Sequence, residues 1–590
     1  MLNIDHEQVV RLARASLDGG KPSEAESLCR ALLQRQPAHA EGAYLLGVAL
    51  YRMGRLAEAV DFFQTALNTD ASSGNAWYAL AMCQWQLGKM HEAATAARRL
   101  VAIAPGSAEG LNILGTALAS TDRLEEAAEV FQRAISIDSR QSITWGNLAG
   151  VQARMGLTDG AIASFRQAVA LDPVPHRFHS DLIYTMLHHP GYDRAAIFSE
   201  HLEWARLYAE PLSAEIKGHQ NSRDPDRRLK IGYVSSNFRT QAVSYFVEPI
   251  LDCHNHDHFE IICYHDSGMS DAVTARMRAK ASIWREVVGM QDADLASLIR
   301  TDAIDILVDL NGHLPQNRLL VFARKPAPVQ VTYIGYQTTT GMQTMDYRLT
   351  DPFVDPPGAE VFHTEKLARL PLFFTYKPPA ASPPVGPEMP ADRNGYVTLG
   401  SLNNCVKVGS HVISLWADIL KKLPESRLVL LVPGGDGATH VIKRFRAEGI
   451  DSSRLELRGI SPVGDYLRIF NGVDICIDTF PFTGHTTTCD ALWMGVPVVT
   501  LLGESYPSRM SACVVESAGL GELVSRTPQE YAAKIVELAG NLEKLRHMRR
   551  GLRERFAASD AMNAPRFTAH LEAEYQTMWR KWCSEGRGFA

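Results

Sequence analysis

The apolar and small residues in the N-terminal part of the chain return at a constant interval of 34 positions. The interval separates five alanines: Ala25, Ala59, Ala93, Ala127 and Ala161. It also separates five leucines: Leu12, Leu46, Leu80, Leu114 and Leu148. Residues suited to tight turns follow the same interval: Gly20, Gly54, Gly88, Asp122 and Gly156. Since small residues let two helices approach closely, the pattern predicts consecutive pairs of helices.

A 34-residue unit with these positions resembles the tetratricopeptide repeat. We identify five tandem copies, from about residue 7 to residue 176, with Pro37, Pro105 and Pro173 at the ends of units. Because one pair of helices cannot bury its own apolar face, the pairs must stack into a superhelix with a concave groove. Such arrays are usually scaffolds, so we expect the groove to capture a protein or peptide and to carry no chemistry.

After residue 226 the pattern changes to short apolar runs that alternate with helical stretches. A first series of runs covers residues 229–234, 259–264, 304–310, 329–335 and 347–349. A second series covers residues 396–399, 428–432, 455–457, 475–478 and 498–502. This alternation predicts βαβ units and mostly parallel sheets. The expected fold is an all-α superhelix followed by two doubly wound, Rossmann-like α/β lobes, with ligands beyond the carboxyl ends of the strands.

Proline marks the border between the two expected lobes. Residues 378–390 contain six prolines in thirteen positions, which neither a helix nor a sheet accommodates. We therefore predict five repeats at 1–176, a helical connector at 177–226, a first lobe at 227–377, a proline-rich linker at 378–392, a second lobe at 393–560 and a C-terminal helix at 561–590.

Composition narrows the possible functions. The 590 residues carry a net charge of −6, which argues against a nucleic-acid surface. No apolar run reaches the roughly 18 residues that span a membrane, and the first residues lack the basic and apolar segments of a signal peptide. Nine cysteines occur without C-x-x-C spacing, as in proteins that keep reduced thiols. We expect a cytoplasmic protein.

Residues 473–499 hold the most informative candidate chemistry. An apolar strand is followed by a Pro/Gly turn, a threonine triplet that opens a helix at Thr486, and a second strand after Pro497. A helix start leaves N–H groups unpaired and carries about half a positive charge, so with threonine hydroxyls and His485 it suits a phosphate or diphosphate. Taken alone, the threonines are better explained by Thr486 as an N-cap, but the strand–turn–helix–strand context favours phosphate.

The sequence lacks the motifs of several common classes of nucleotide-binding enzyme. The sequence has no G-x-G-x-x-G after a first strand and no G-x-x-x-x-G-K-[ST], which disfavours nicotinamide, flavin and P-loop enzymes. His254, His256 and His258 could bind a metal, but their acidic neighbours favour a solvated loop.

Several motifs occur in an order that resembles the repeat-bearing protein O-GlcNAc transferases and the related SPINDLY O-fucosyltransferases. They begin at residues 229 (LKIGYVSSNF), 324 (RKPAPVQV), 345 (MDYRLTD), 401 (SLNNCVK) and 484 (GHTTTCD). The resemblance covers nearly the whole chain. It implies a GT-B fold, with a catalytic first lobe and a nucleotide-sugar-binding second lobe. It also implies metal-free, inverting transfer of a sugar to Ser/Thr hydroxyls of proteins, without a cofactor.

The resemblance assigns roles to matching residues. Lys407 matches a lysine that neutralises the donor diphosphate, and Asn404 stands where the family has glutamine or asparagine near that diphosphate. His485, Thr486 and Thr487 match the His-Thr-Thr that holds the phosphates.

The same resemblance bears on the donor. Asp490 matches the acid that binds the ribose hydroxyls, and together with His485 it follows the O-GlcNAc branch. The threonine run and much of the first lobe look closer to SPINDLY. We expect UDP-GlcNAc, with GDP-fucose as the alternative.

One matching position departs from the family. Family members commonly carry histidine in a D-F-R-x-H-x-V-x-Y-F pattern, whereas residues 237–246 read NFRTQAVSYF and place Gln241 in that slot. Glutamine cannot act as a base near neutral pH, and losing a general base lowers a rate about 10²–10⁴-fold. Asp302 or His313 could substitute, or Gln241 could position the acceptor hydroxyl. The other hypothesis is a catalytically degenerate repeat scaffold that binds nucleotide sugars.

Overall fold

The computed structural model describes residues 6–172, 176–432 and 434–585. The chain divides into two compact units: Met1–Met155 with Pro433–His440, and Gly156–Val432 with Val441–Ala590. Pro173, expected at the end of a repeat, lies outside the described residues. None of the helices within these residues combines the length and apolar character that a membrane crossing requires.

The repeat region consists of helix pairs with the predicted interval. The first helices of the pairs are α1 (His6–Asp18), α3 (Ala40–Arg52), α5 (Gly74–Gln86), α7 (Ala108–Ser120) and α9 (Ser142–Arg154). The second helices are α2 (Pro22–Arg35), α4 (Leu56–Thr69), α6 (Met90–Ile103) and α8 (Leu124–Ile137), and the helix at the equivalent position, α10 (Thr158–Leu171), belongs to the second unit. Each boundary moves by 34 residues from one pair to the next, so the periodicity read from the sequence is confirmed.

The recurring small residues explain why these helices pair. The five alanines of the series are fully buried. At Gly47 a Cβ atom would lie 2.6 Å from the Phe63 ring, so only glycine permits the contact between α3 and α4. Between the helices of the fourth pair Asp122 takes a left-handed φ of 58°, as the glycines at the equivalent turns do. Leu12 is 44% exposed while Leu46 is fully buried, because no described helix pair precedes α1 to cover it.

The first lobe contains a parallel sheet of seven strands among the described residues. They are β1 (Leu229–Ser235), β2 (Phe259–His265), β3 (Ile283–Glu286), β4 (Ile306–Asp309), β5 (Val329–Thr332), β6 (Tyr347–Thr350) and β7 (Lys366–Arg369). Their order in the sheet is β3-β2-β1-β4-β5-β6-β7. The helices that precede or cover this sheet are α11 (His176–Met186), α12 (Arg194–Trp204), α13 (Ser244–Cys253), α14 (Ala272–Arg278), α15 (Asp292–Thr301) and α16 (Leu319–Ala323).

The second lobe repeats this plan with six described strands. They are β8 (Thr398–Ser401), β9 (Arg427–Leu431), β10 (Leu455–Arg458), β11 (Ile475–Ile477), β12 (Val498–Leu501) and β13 (Val524–Ser525), in the parallel order β10-β9-β8-β11-β12-β13. Its helices are α17 (Pro390–Asn394), α18 (Ser410–Lys422), α19 (Gly437–Ala447), α20 (Val463–Ile469), α21 (Thr486–Trp493), α22 (Met510–Ser517), α23 (Pro528–Ala539) and α24 (Leu542–Ala557). The C-terminal helix α25 (Ala564–Ser584) packs against α13 of the first lobe. The predicted pair of doubly wound lobes is confirmed.

Both sheets place a topological switch where a ligand site is expected. In the first sheet β1 pairs with β2 on one side and β4 on the other, with Ile231 opposite both Ile261 and Ile306. In the second sheet β8 lies between β9 and β11. The loops that leave β1 and β4, and those that leave β8 and β11, therefore open at the two crevices where doubly wound sheets bind ligands.

The strands that the sequence did not predict are edge strands. β3, β7 and β13 end their sheets, and their sequences, such as KLAR in β7, lack the apolar run of a strand that is buried on both faces. Residues 329–335, predicted as one strand, form a strand only over Val329–Thr332 because Ile334 has a φ of 55°.

The expectation that His254 belongs to a solvated loop is wrong. Its ring is buried, with Nδ1 2.9 Å from Glu572 Oε1 and Nε2 2.9 Å from the Tyr233 hydroxyl. Both ring nitrogens are therefore satisfied between β1 and α25. The described residues contain no group of three or more His, Cys, Asp or Glu side chains arranged to hold a metal.

Candidate active site

A cavity of about 250 Å³ lies where the carboxyl ends of the two sheets face each other. The first lobe contributes side chains from the loops after β1, β4 and β5, among them Val243, Phe246, Leu314, Ile334 and Gln337. The second lobe contributes residues that follow β8 and β11: Asn403, Asn404, Lys407, Phe482, His485, Thr486 and Thr487. Five of the residues predicted for the donor site thus line one cavity.

Lys407 carries the positive charge of this cavity. It ends a short turn, Cys405–Lys407, in the loop after β8, and its Nζ donates to the Thr483 carbonyl oxygen at 2.8 Å. The ammonium also lies 4.5 Å from the centre of the Phe482 ring. Burial lowers the pKa of Lys407 to about 8, against the opposing effect of Asp478. The charge is therefore fixed in position and poorly hydrated.

The start of α21 supplies a second electropositive group. Its first intrahelical bond runs from Cys489 N–H to the His485 carbonyl oxygen, so the N–H groups of the three preceding threonines lie ahead of the hydrogen-bonded turns. Thr486 is the first helical residue and His485 occupies the cap position without a capping bond. The simpler interpretation of Thr486 as an N-cap is therefore wrong.

The turn before α21 is rigid because Asp478, at the end of β11, ties it to the sheet. One carboxylate oxygen of Asp478 accepts from Gly484 N–H at 2.9 Å and from the Asn403 amide at 3.1 Å. The Asn403 oxygen in turn accepts from the Thr487 hydroxyl at 2.9 Å. A Cβ on Gly484 would lie 2.5 Å from Thr488 Oγ1, so glycine is required for this approach. The loops after β8 and β11 are thus joined into one support.

His485 connects the two lobes. Its ring stacks on Phe246 of α13 at 4.1 Å between centroids with an interplanar angle of 8°, and it also contacts Phe373 and Phe374. Burial, and to a smaller extent Lys407, lower the pKa of His485 to about 3. Its Nε2 is buried and has no hydrogen-bond partner in the described part of the chain. His485 is thus a neutral hydrogen-bonding group rather than a cation.

Asn404 and Asp490, which were also predicted for the donor site, have different surroundings. Asn404 is exposed at the rim of the cavity, and its side-chain oxygen accepts from Val406 N–H at 3.1 Å. Asp490 does not line the cavity. Its two carboxylate oxygens accept from the hydroxyls of Tyr376 at 2.5 Å and Tyr466 at 3.2 Å, and burial raises its pKa to about 7.

Comparison with known proteins identifies the architecture. The sequence profile described as Glycosyl transferase family 41 matches residues 171–376 and 390–571. The chain belongs to this family. Tetratricopeptide repeat profiles match residues 78–142 and 143–175, and residues 19–100 match that of anaphase-promoting complex, cyclosome, subunit 3.

Two curated relatives are similar to more than half of this chain. The probable UDP-N-acetylglucosamine–peptide N-acetylglucosaminyltransferase SPINDLY of Petunia hybrida is 38% identical over 397 residues, which cover 66% of this chain and 42% of that protein. The probable enzyme SEC of Arabidopsis thaliana, with the same activity in its name, is 30% identical over 368 residues, 61% of this chain and 38% of the relative. The matches thus span about two fifths of the curated relatives.

A solved structure resembles most of the chain. The O-GlcNAc transferase of Thermobaculum terrenum, solved in a mutant form, has a TM-score of 0.80 and 37% sequence identity. The superposition covers 88% of this chain and 99% of that one. The GT-B arrangement that the sequence motifs implied is therefore confirmed for this member of family 41.

The family's histidine slot lies outside the cavity wall. Gln241 is exposed and is not among the lining residues, although its neighbours Ala242 and Val243 are. Its backbone oxygen accepts from Ser244 N–H at 3.0 Å at the start of α13. With the amide turned so that both its groups are satisfied, the side-chain oxygen accepts from Arg239 Nη1 at 3.1 Å.

The two residues that the sequence suggested as substitute bases are paired with other groups and do not face the cavity. Asp302 precedes β4, at the opposite end of the sheet from the cavity, and pairs with Arg285 at 2.7 Å. His313 is fully buried, with Nδ1 3.1 Å from the Ser180 hydroxyl and Nε2 3.0 Å from the Thr340 carbonyl oxygen. Neither presents a free basic atom to the cavity.

Sequence reasoning missed the aromatic part of this family 41 site. Phe246, Tyr184 and Phe482 line the cavity, and none of them carries the acid–base chemistry near neutral pH that motif reading looks for. Tyr184 belongs to α11, a helix that the sequence assigned only to a connector. The T-F-P-F-T run of residues 479–483 was a usable signal, since two aromatics in the turn ahead of a helix predicted to bind phosphate must face either the core or the cavity.

Proposed function

We propose that this chain transfers GlcNAc from UDP-GlcNAc to serine or threonine hydroxyls of proteins, with inversion and without a metal ion. The observation that carries the proposal is the convergence of Lys407 and the N-terminus of α21 on one cavity between two doubly wound lobes. Two positive groups in a poorly hydrated site suit the diphosphate of a nucleotide sugar. The names of the relatives supply the sugar and the acceptor class.

The chemistry that this site would support is leaving-group stabilisation. When the acceptor hydroxyl oxygen bonds to the anomeric carbon, the bond from that carbon to the diphosphate oxygen breaks and negative charge grows on the departing phosphate. The hydroxyl proton would be released to water. The Lys407 ammonium and the N–H groups at the start of α21 would stabilise that charge where a metal ion would otherwise be used. Attack from the face opposite the departing diphosphate inverts the anomeric centre.

The remaining residues would hold the donor in place. Asn403 and Thr487 are hydrogen-bonded to each other and supported by Asp478, so the phosphate-facing backbone has little freedom. His485, neutral and with Nε2 unpartnered among the described residues, is suited to hydrogen-bond a polar group of the donor. Asp490 reaches a ribose only if its bonds to Tyr376 and Tyr466 are exchanged for ligand hydroxyls.

The acceptor is proposed to be a protein that the repeat array captures. The concave groove of stacked helix pairs is the usual peptide-binding surface of such repeats. No nucleic-acid or membrane partner is proposed.

The test is a comparison of donors on the purified chain. Thermal shift and donor hydrolysis are measured with UDP-GlcNAc and GDP-fucose, and transfer to proteins of a cell extract is followed by mass spectrometry. We expect stabilisation, hydrolysis and a gain of one N-acetylhexosamine mass with UDP-GlcNAc only. A response to GDP-fucose alone would replace the proposed donor and make the chain an O-fucosyltransferase.

A second candidate is a repeat scaffold that binds nucleotide sugars without transferring them. The observation in its favour is the set of lining residues, which includes no carboxylate among those described, together with Gln241 in the histidine slot. Donor binding without hydrolysis or transfer, with activity appearing in Gln241→His, would support this second candidate.

A further inference from the structure

His188, which follows α11, lies against the same aromatic ring as Lys407. The His188 ring is stacked on Phe482 with 4.5 Å between centroids and an interplanar angle of 2°. The Lys407 Nζ lies 4.5 Å from the centre of that ring. Because the stacked imidazole covers one face of Phe482, the ammonium must lie over the other. Phe482 is thus held between a histidine and the lysine of the proposed diphosphate site.

The protonation state of His188 follows from its contacts. Its Nδ1 lies 2.8 Å from the Tyr184 carbonyl oxygen, which can only accept, so Nδ1 carries the proton. Nε2 is buried and has no hydrogen-bond partner in the described part of the chain. Burial, and then Lys407, lower the pKa of His188 to about 3. The ring is therefore neutral and stacks without repelling the ammonium beyond Phe482.

Tyr184 completes the support. Its ring meets His188 edge-on at 4.8 Å and Phe482 edge-on at 5.8 Å, and it lines the cavity. His188 is only 1% exposed, so it seals the side of Phe482 that faces away from Lys407. A non-aromatic side chain at position 188 lacks the flat face that stacks on Phe482, so it would leave the Phe482 ring free to tilt and would admit water beneath it.

We propose that His188 is a positioning residue for Lys407: by stacking on Phe482 it fixes the surface against which the ammonium is held at the cavity. The inference rests on the proposed function in that Lys407 is taken to bind the donor diphosphate. The imidazole itself does not line the cavity and is assigned no contact with the donor. Its contribution is the flat, uncharged face and the exclusion of water.

The first test needs no nucleotide. Lys407 is labelled by reductive methylation at a series of pH values, and its modification is followed by mass spectrometry. Besides His188, the titratable groups that face Lys407 are Asp478 and His485, and both are left unchanged. The labelling midpoint of the wild type is expected near pH 8. In His188→Leu it should rise by at least one unit because water reaches the ammonium, while His188→Phe should keep it.

The second test measures coupling to the ligand. UDP affinity is determined by calorimetry for His188→Leu, His188→Phe, Lys407→Ala and the double variant Lys407→Ala/His188→Leu. We expect about a tenfold loss in His188→Leu, near-normal affinity in His188→Phe, and no further loss when His188→Leu is added to Lys407→Ala. His254→Ala, which removes another buried histidine remote from the cavity, should lower the melting temperature without changing UDP affinity.

Several results would overturn the proposal. An unchanged labelling midpoint in folded His188→Leu would show that His188 does not set the surroundings of Lys407. Equal losses of UDP affinity with and without Lys407 would make His188 a purely structural residue. If UDP fails to bind the wild type while the labelling midpoint still shifts, the proposed donor is wrong and the positioning role stands. Circular dichroism establishes that each variant is folded.

Discussion

The Tyr376 hydroxyl donates to Asp490 Oδ1 at 2.5 Å, which joins the end of the first lobe to the helix that begins at the cavity. Tyr466 occupies the other oxygen of the same carboxyl group. Asp490, expected from the resemblance to bind ribose, is thus a buried acid held by two phenols. A ribose must displace at least one of them to reach it.

The protonation of Asp490 should be visible in the pH dependence of stability. Burial raises its pKa to about 7, above the unfolded value of about 3.9. The folded state therefore binds the proton more tightly, so the free energy of unfolding falls as pH rises from about 4 to about 7.

The variant that tests this is Asp490→Asn, which keeps the shape and cannot ionise. Urea unfolding at pH 4.5 and pH 7 should show a smaller loss of stability than in the wild type, by about 1.4 kcal/mol for each unit of pKa shift. Parallel pH dependence in the two proteins would mean that Asp490 is ionised throughout, with a pKa near its ordinary value.

Replacement of Lys407 should remove transfer and spare the fold. The ammonium is the full positive charge among the residues described as lining the cavity, and loss of one preorganised charge-stabilising donor costs about 10²–10³ in rate. Lys407→Ala should therefore lose most transfer and bind UDP more weakly, with little change in melting temperature. Lys421→Ala removes a surface lysine of α18 that pairs with Asp418 and serves as the matched control.

Metal removal is the complement of that experiment. Because Lys407 and α21 are proposed to stabilise the departing diphosphate, treatment with EDTA should leave transfer unchanged. Activity that EDTA abolishes and Mg²⁺ or Mn²⁺ restores would place a metal ion in the role given to Lys407.

The pH profile of transfer should have an alkaline limb set by Lys407. Burial lowers the pKa of Lys407 to about 8, and only the protonated amine stabilises the leaving group. Since kcat/KM reports the free enzyme, it should fall about tenfold per pH unit above pH 8. The limb should flatten in Lys407→Arg, whatever its absolute rate, because arginine stays charged. A wild-type profile that remains level to pH 10 would contradict this assignment.

The sequence predicted the parts of the fold that leave a local pattern, namely the repeated helices and the strands with apolar runs. The 34-residue interval predicted the helix pairs because the position of Ala25 needs a small residue in every copy of the repeat. The buried strands β1 and β4 were equally clear. Edge strands such as β7 were missed because half of their surface faces water and their sequences carry no apolar run.

The candidate site was predicted unevenly for a related reason. Lys407 and Thr486 belong to the segments that follow β8 and β11, so their place at the carboxyl edge follows from topology. The position of Asp490 depends on phenols 114 and 24 residues away in sequence, and that of His188 on a stacking partner in another lobe. Such contacts leave no periodic trace, and tertiary packing alone determines them.

Close packing in the repeats gives a stability prediction independent of the site. A Cβ at Gly47 would lie 2.6 Å from Phe63, so Gly47→Ala should destabilise the protein by about 1–3 kcal/mol through overpacking. Gly150 in α9 has nothing within 4 Å of the equivalent atom, and Gly150→Ala should stabilise it by up to about 1 kcal/mol through helix propensity. Denaturant midpoints compare the two variants. Stabilisation of equal size in both would show that α3 and α4 lie farther apart than the Gly47–Phe63 contact requires.

Gln241 provides the decisive comparison between the enzyme and the scaffold. It is exposed and bonded to Arg239, so Gln241→Ala should change stability by less than about 0.5 kcal/mol. If this chain transfers sugar without a base at that position, Gln241→Ala should also keep transfer within about threefold. Glutamine is not a general base, so its removal does not cause the loss of about 10²–10⁴-fold that follows removal of one.

Gln241→His tests the histidine slot itself. Single-turnover transfer from UDP-GlcNAc is measured at pH 7.5, with UDP affinity as the control. We expect a rate increase with unchanged affinity, since the imidazole adds a base beside Ala242 and Val243 without touching the diphosphate support. Transfer that appears only in Gln241→His, from a parent that binds UDP and turns over nothing, would identify the wild-type chain as the scaffold.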